Sequence, residues 1–171
     1  MHVPVVWGSL AAGLQFTKPL LLFVRLRQCG CDSDQSSNAL PHAKEATTLD
    51  PSYAWAFSTE ADALFSLRRF QEAINASKEA IRLSDGKFTR MHFRLGASYF
   101  ETENWDLARQ SFEKAAELDP SDEAAPYNVA LCYSRIGYQV DAAHWFEEVL
   151  KRNPNRADKA ELQERIRTLL H

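Results

Sequence analysis

The feature that most limits how this chain can fold is its resemblance to itself at an interval of 34 to 35 residues. Ala61, Gly96 and Ala130 recur at that interval, and Ala73, Ala108 and Ala142 keep it, as do Ala80, Ala115 and Val149. Leu64, Tyr99 and Tyr133 stay in step, and so do Ser77, Phe112 and Phe146. Pro120 and Pro154 lie one period apart. Pro51 lies two periods before Pro120 with one extra residue, which the spacing puts in the Asp85-Gly86-Lys87 turn. Columns in register mean one supersecondary unit used repeatedly. A unit this short cannot bury an apolar face alone and is stable only when stacked on its copies.

Each period reads as two helices. The spacing predicts helices over about 53–67 and 70–83, then 88–101 and 105–118, then 123–136 and 140–152. Breaks fall at Arg68-Arg69, at Thr102–Asn104 and at Gly137. Asp119-Pro120 and Asn153-Pro154 stop second helices, because proline removes a donor and its ring clashes with the preceding turn. Ser121, with Asp122 and Glu123 behind it, is the expected cap of the next helix. Pro126 lies deep in that helix, which must therefore start late or bend. Six glycines and seven prolines among 171 residues leave most of the chain free to be helix. Small residues on both helices let backbones approach, and Tyr99, Tyr133, Phe112 and Phe146 fill the space between. A last segment, about 156–170, puts Leu162, Ile166, Leu169 and Leu170 on one face and charge elsewhere, as a cap closing the stack requires.

In the second period His92-x-x-Leu95-Gly96-x-x-Tyr99 is followed by Ala108-x-x-x-Phe112 and Pro120. The third gives Val129-Ala130-x-x-Tyr133, Ala142-x-x-x-Phe146 and Pro154. These motifs resemble the tetratricopeptide repeat family, with His92 where that pattern carries Trp. The first repeat is similar at Phe57, Ala61, Leu64, Ala73 and Ala80, but Glu60 replaces the usual Leu and Asp85 the Pro. The resemblance covers about residues 53–154 and implies an all-α fold, an α-solenoid of stacked antiparallel helix pairs. Three repeats are expected at about 53–86, 88–120 and 121–154, with the cap helix at 156–170. Upstream, Ala39, Ala46, Leu49 and Pro51 keep the spacing of a second helix, with Asn38 as its cap and Pro41 in its first turn. Residues 38–51 thus read as half a repeat opening a helical domain over 38–171. The missing half points to a fragment of a longer array, or to descent from one.

Residues 1–37 read as an apolar segment and a polar linker, Asp32–Ser37. Val3 to Val24 carries Lys18 as its only charge, and as helix it would span about 33 Å, enough for a bilayer core of about 30 Å. A basic n-region and a small-residue cleavage site are both missing, which argues against a secretory signal. Lys18, Arg25 and Arg27 lie on its C-terminal side, so a spanning segment would leave the repeats facing the cytoplasm. Lys18-Pro19 is costly inside lipid. The competing reading is an extension that is poorly folded or lies on the first repeat. The expected location is cytoplasmic, or membrane-anchored with the repeats on the cytoplasmic side.

Net charge is −3, which gives no electrostatic case for nucleic acid. Cys29, Cys31 and Cys132 are an odd set with no zinc spacing, neither a disulfide framework nor a metal site. Cys132 sits in a helix as a small buried thiol, and a reducing compartment follows. His2, His42, His92, His144 and His171 are scattered, and no nucleophile elbow, phosphate loop or dinucleotide motif occurs. No catalytic residue, cofactor or metal is expected. Asn75-Ala76-Ser77 is a formal glycosylation sequon, read as chance in the middle of a helix.

Function then rests on what the resemblance implies. About 120° round each first helix from its core face, at roughly 100° per residue, lies a second face. In this family that face lines a concave groove holding partner peptides. By register the groove takes Trp55, Ser58, Asp62 and Phe65 from the first repeat. The second supplies Arg90, Phe93, Ala97, Phe100 and Glu101, and the third Tyr127, Asn128, Leu131 and Arg135. Phe65, Phe93, Phe100 and Tyr127 form an aromatic floor suited to an apolar or helical ligand, although some of these rings are expected to pack on neighbouring helices. Chaperone tails are disfavoured, because Ser58, Asp62, Phe93 and Ala97 stand where basic and amide groups would be wanted. Arg94 and Asn128 are compatible with such a clamp. The partner is thus another protein, a peptide or helix. The alternative is a structural or oligomerising end piece of a longer array or a tethered scaffold. A membrane contact through residues 3–24 and self-association through the open N-terminal end complete the expectations.

Overall fold

A computed structural model describes residues 33–171, eight helices and no strand among them. They are α1 (Ser33–Leu49), α2 (Ala54–Ser66), α3 (Phe70–Leu83), α4 (Thr89–Glu101), α5 (Trp105–Leu118), α6 (Ala124–Ile136), α7 (Gln139–Arg152) and α8 (Lys159–Leu170). The pairs α2/α3, α4/α5 and α6/α7 are three antiparallel hairpins, preceded by the lone helix α1 and closed by α8. Each helix packs on its neighbours in sequence, and α2 also touches α4 directly. This is the stacked solenoid that the periodicity demands. Val3–Val24, Lys18, Arg25, Arg27, Cys29 and Cys31 lie outside the described residues. Among the described residues no helix is long and apolar enough to cross a membrane.

The turn between the two helices of every hairpin is built alike. Arg68, Glu103 and Gly137 stand in corresponding places with φ of 57°, 61° and 99°, the left-handed region. One residue on, the N–H of Arg69, Asn104 and Tyr138 donates back to Leu64, Tyr99 and Tyr133 at 2.9, 2.9 and 3.0 Å. These bonds satisfy helix-end carbonyls that would otherwise be orphaned. Between repeats, Asp50-Pro51-Ser52 and Asp119-Pro120-Ser121 form matching turns in which Ser Oγ donates to Asp Oδ1 at 2.6 Å. The first repeat instead leaves α3 through two left-handed residues, Asp85 (φ 52°) and Gly86 (φ 75°). His92, standing where the family carries Trp, donates from Nε2 to the Gly86 carbonyl at 3.0 Å and secures that turn to α4. Burial holds the His92 imidazole below its ordinary value, against the opposing effect of this hydrogen bond.

Close approach is concentrated at the small residues. Ala61 and Ala130 are fully buried, and a Cβ on Gly96 would lie 2.8–2.9 Å from the Phe112 ring. The glycine is therefore required by the ring that α5 lays across α4. Cys132 is buried as expected, and burial pushes its thiol up to about 12.

Of three local expectations, those on the start of α1 and on the cap of α6 are corrected, and the late start of α6 is borne out. Helix α1 spans Ser33–Leu49, so Asn38 is no cap, Pro41 lies inside the helix, and Ser33–Ser37 is helical and not linker. Ser36, Ala39, Leu40, Ala43 and Ala46 share one helical face and are all buried. That burial outweighs the roughly 3 kcal/mol that an interior proline costs. Helix α6 starts late, at Ala124, which puts Pro126 in the first turn, where its missing N–H is no loss. The cap of α6 is Asp122, not Ser121: its carboxylate accepts from the N–H of Ala124 and Ala125 at 2.9 and 3.1 Å, while Ser121 turns back to Asp119.

Both ends present a mostly polar outward face, with Leu49 exposed at one and Leu170 at the other. Leu162 and Ile166 of α8 are buried in a cluster with Phe146 and Val149, and the rest of α8 is largely charged or polar and solvated. At the other end Ser37, Asn38, Pro41, Lys44, Glu45 and Thr48 cover the outward face of α1, leaving Leu49 exposed at its last residue.

Candidate partner-binding groove

The first helices α2, α4 and α6 present the face on which the groove residues were expected. Their side chains fall into three groups.

The aromatic residues are shared between core and surface. Phe93 meets Phe112 edge-on with ring centroids 5.2 Å apart, and Tyr127 meets Phe146 in the same way at 5.5 Å. These are equivalent pairs one period apart, each joining a first helix to the second helix of its own repeat. Phe65–Phe70 (5.4 Å) and Phe100–Trp105 (4.8 Å) form a second equivalent set at the hairpin turns. All four expected floor residues are half-buried. Edge-to-face pairs add about 0.5–1.5 kcal/mol each beyond their buried area, so these rings help to build the solenoid as well as to line it.

A second group is apolar and accessible. Ala97 and Leu131 are partly exposed, beside Phe93 and Phe100 on the same face. Trp55 is 53% exposed and leans on Phe88 at 5.1 Å, making a rim at the start of α2. Phe88 was not foreseen as part of this rim.

The third group is charged. Asp62 on α2 receives two guanidinium groups from α4: Arg94 Nε donates to its Oδ1 at 2.7 Å, and Arg90 Nη2 to its Oδ2. Arg94 also lies over the Phe65 ring, 4.4 Å from its centroid. Arg94 thus contacts two of the residues expected in the groove, Asp62 and Phe65. The signal in the sequence is its place four residues after Arg90 on one helical face, three residues before Ala97, which is the Asp62 position of the next repeat. Glu101 is exposed, Arg135 lies over Trp105 at 5.7 Å, and the Asn128 amide donates to the Ala124 carbonyl of its own helix at 2.8 Å.

One expected residue does not reach the surface. Ser58 is 1% exposed; it and Ser77, the positions that carry rings in the second and third repeats, are both buried in the first. It cannot touch a partner.

Comparison with known proteins agrees with this architecture. A family model described as tetratricopeptide repeat matches residues 58–123 and 93–157. Tetratricopeptide repeat protein 13 of Homo sapiens is 28% identical over 120 residues, covering 70% of this chain but 14% of that protein. Among solved structures, MamA from Desulfovibrio magneticus RS-1 superposes with a TM-score of 0.74 at 16% identity, covering 89% of this chain and 93% of that one. The first tetratricopeptide domain of Spaghetti (RPAP3), solved with the HSP90 peptide SRMEEVD, gives 0.61 at 18% identity, covering 69% of this chain and 94% of that one. The chain thus spans a small part of the curated relative and most of these structures. With the repeat columns, the left-handed hairpin turns and a family match over more than half its length in agreement, the chain belongs to the tetratricopeptide repeat family.

Proposed function

We propose that this chain is a non-catalytic protein-interaction module that holds a peptide or helix of a partner along α2, α4 and α6. The observation that carries the reading is the half-exposed apolar strip of Phe65, Ala97, Phe100 and Leu131 on consecutive first helices. Side chains that are neither fully buried nor solvated keep apolar area that a partner can cover, at about 25 cal/mol per Å². Ala97 lies in the middle helix with larger residues on either side, leaving room for a partner side chain. The peptide-bound domain with the same fold supports this reading by analogy of form. Assembly through the N-terminal end is the weaker reading, because the outward face of α1 is mostly polar.

The test is selection of binders from a phage-displayed library of random linear peptides. Selected peptides should lose at least about tenfold in affinity for Ala97→Arg, whose longer side chain fills the space at mid-groove, while the melting temperature stays unchanged. Equal binding to both proteins would remove the groove assignment.

A further inference from the structure

Asp62, Arg90 and Arg94 differ from the other charged groove residues in crossing from one first helix to the next. The Asp62 side chain is 16% exposed and that of Arg94 20%, whereas Arg90 is 49% exposed. Each carboxylate oxygen accepts one guanidinium, and the Phe65 ring fixes the Arg94 plane. Two arginines converging on one carboxylate is the arrangement by which proteins receive an acidic group from a ligand. Here the acid comes from the chain itself. The rest of the array lacks the arrangement: the Asp62 column continues as Ala97 and Leu131, Arg90 is followed by Ala124, and Arg94 by Asn128.

We infer that Asp62 is a built-in occupant of the Arg90–Arg94 pair and sets the specificity of the groove, closing its α2–α4 end to carboxylate-bearing partners and leaving it to neutral or apolar segments. This rests on the groove reading above. An incoming carboxylate meets a resident one of the same sign in partly desolvated surroundings. The guanidinium groups that could compensate are already engaged, so the approach carries a like-charge penalty with no new pairing in return. Neutralising Asp62 releases both donors toward the partner side while Phe65 keeps Arg94 in place.

The experiment uses the full chain and two probes, measured by calorimetry. One is the free-acid peptide SRMEEVD. The other is its counterpart with every side-chain acid replaced by the amide and the C terminus amidated. The wild-type chain should bind the neutral peptide at least as tightly as the acidic one. Asp62→Asn should bind the acidic peptide about tenfold more tightly than wild type, with the gain reduced by salt and cancelled by adding Arg94→Gln. A residue acting only to fasten α2 to α4 lowers the melting temperature and gives no gain in binding; that result overturns the inference. A wild-type preference for the acidic peptide overturns it too, and needs no variant, so the question is decided even if Asp62→Asn fails to fold. Binding of the library-selected peptides and its loss in Ala97→Arg are read separately, so failure of the specificity claim is distinguishable from failure of the groove.

Discussion

The first repeat and the two that follow are built on one backbone with different interiors. In the second and third, a ring on the first helix meets a ring on the second: Phe93 on Phe112, Tyr127 on Phe146. At the same two places the first repeat has Ser58 and Ser77, both buried, and the Ser77 hydroxyl is left without a hydrogen-bond partner. Glu60 stands where Leu95 is 9% exposed and Val129 fully buried. The first repeat compensates outside its core, through the α1 face packed on α2 and through the Asp62 ion pairs to α4. The solenoid fold is thus set by the small-residue columns that all three repeats keep, whereas the strength of each repeat is set by what fills the space between them. In a stack where each unit contacts only its neighbours, such a difference stays local.

The strongest way to break the comparison is to make the second repeat like the first. Phe112→Ser should cost about 3–5 kcal/mol, the range for emptying a buried aromatic site, and leave Phe93 without its edge contact. Chemical denaturation measures it. A loss below about 1 kcal/mol would mean that the rings are dispensable and the contrast between repeats has no energetic content. The next effect approaches the same contact from the other side. Gly96→Ala puts a methyl 2.8–2.9 Å from the Phe112 ring, and overpacking of this kind costs about 1–3 kcal/mol. Combined with Phe112→Ser the alanine should become nearly harmless, so a double-mutant cycle isolates the clash.

The third effect raises stability. Burial holds the Glu60 carboxyl above its ordinary value of 4.5, with Lys44 opposing. A carboxyl raised in the folded state is harmless below its unfolded pKa and destabilises as pH rises through the folded one. Glu60→Leu should therefore stabilise by about 1 kcal/mol at neutral pH, an amount kept small by partial exposure and solvent screening. The electrostatic part of that advantage should shrink as pH falls from the raised folded value toward 4.5 and be gone below it. Melting curves across that window check the sign, and a gain independent of pH would assign the effect to apolar packing alone.

The fold was legible because its signal is periodic: Ala61, Gly96 and Ala130 announce a close approach wherever the helices cross, and Phe112 and Phe146 announce what fills it. Legibility failed where the deciding feature is a single event. Nothing periodic marks the start of α1, and its continuation upstream of Pro41 is decided by burial against α2. Asp122 and Ser121 are both good caps by chemistry, and the Asp-Pro-Ser turn recruits the serine elsewhere. The groove residues were assigned by register, which gives the face of a helix but not the depth of a side chain. Ser58 has the right angle but is buried. Arg94 lies at the edge of that face and is turned toward Asp62 by their ion pair, which register alone does not reveal.

The smallest effect tests whether the hairpin turns, unlike the cores, are equivalent. Arg68, Glu103 and Gly137 share the left-handed conformation, which is strained for a residue with a Cβ and free for glycine. Arg68 lies over Phe70 at 5.5 Å, so replacing it also removes a contact. Glu103 is exposed and gives the cleaner measurement. Glu103→Gly should stabilise by about 0.5–1 kcal/mol, relief of the left-handed strain exceeding the greater freedom of glycine in the unfolded chain. Gly137→Ala should lose about 1 kcal/mol, and a methyl there meets nothing within 4 Å, so the loss reports backbone conformation alone. Opposite and similar changes in denaturation midpoint would show that the three turns are one structure. No gain from Glu103→Gly beside a full loss from Gly137→Ala would show that the second repeat relieves its turn by other means, and the difference between repeats would then extend from their cores to their backbones.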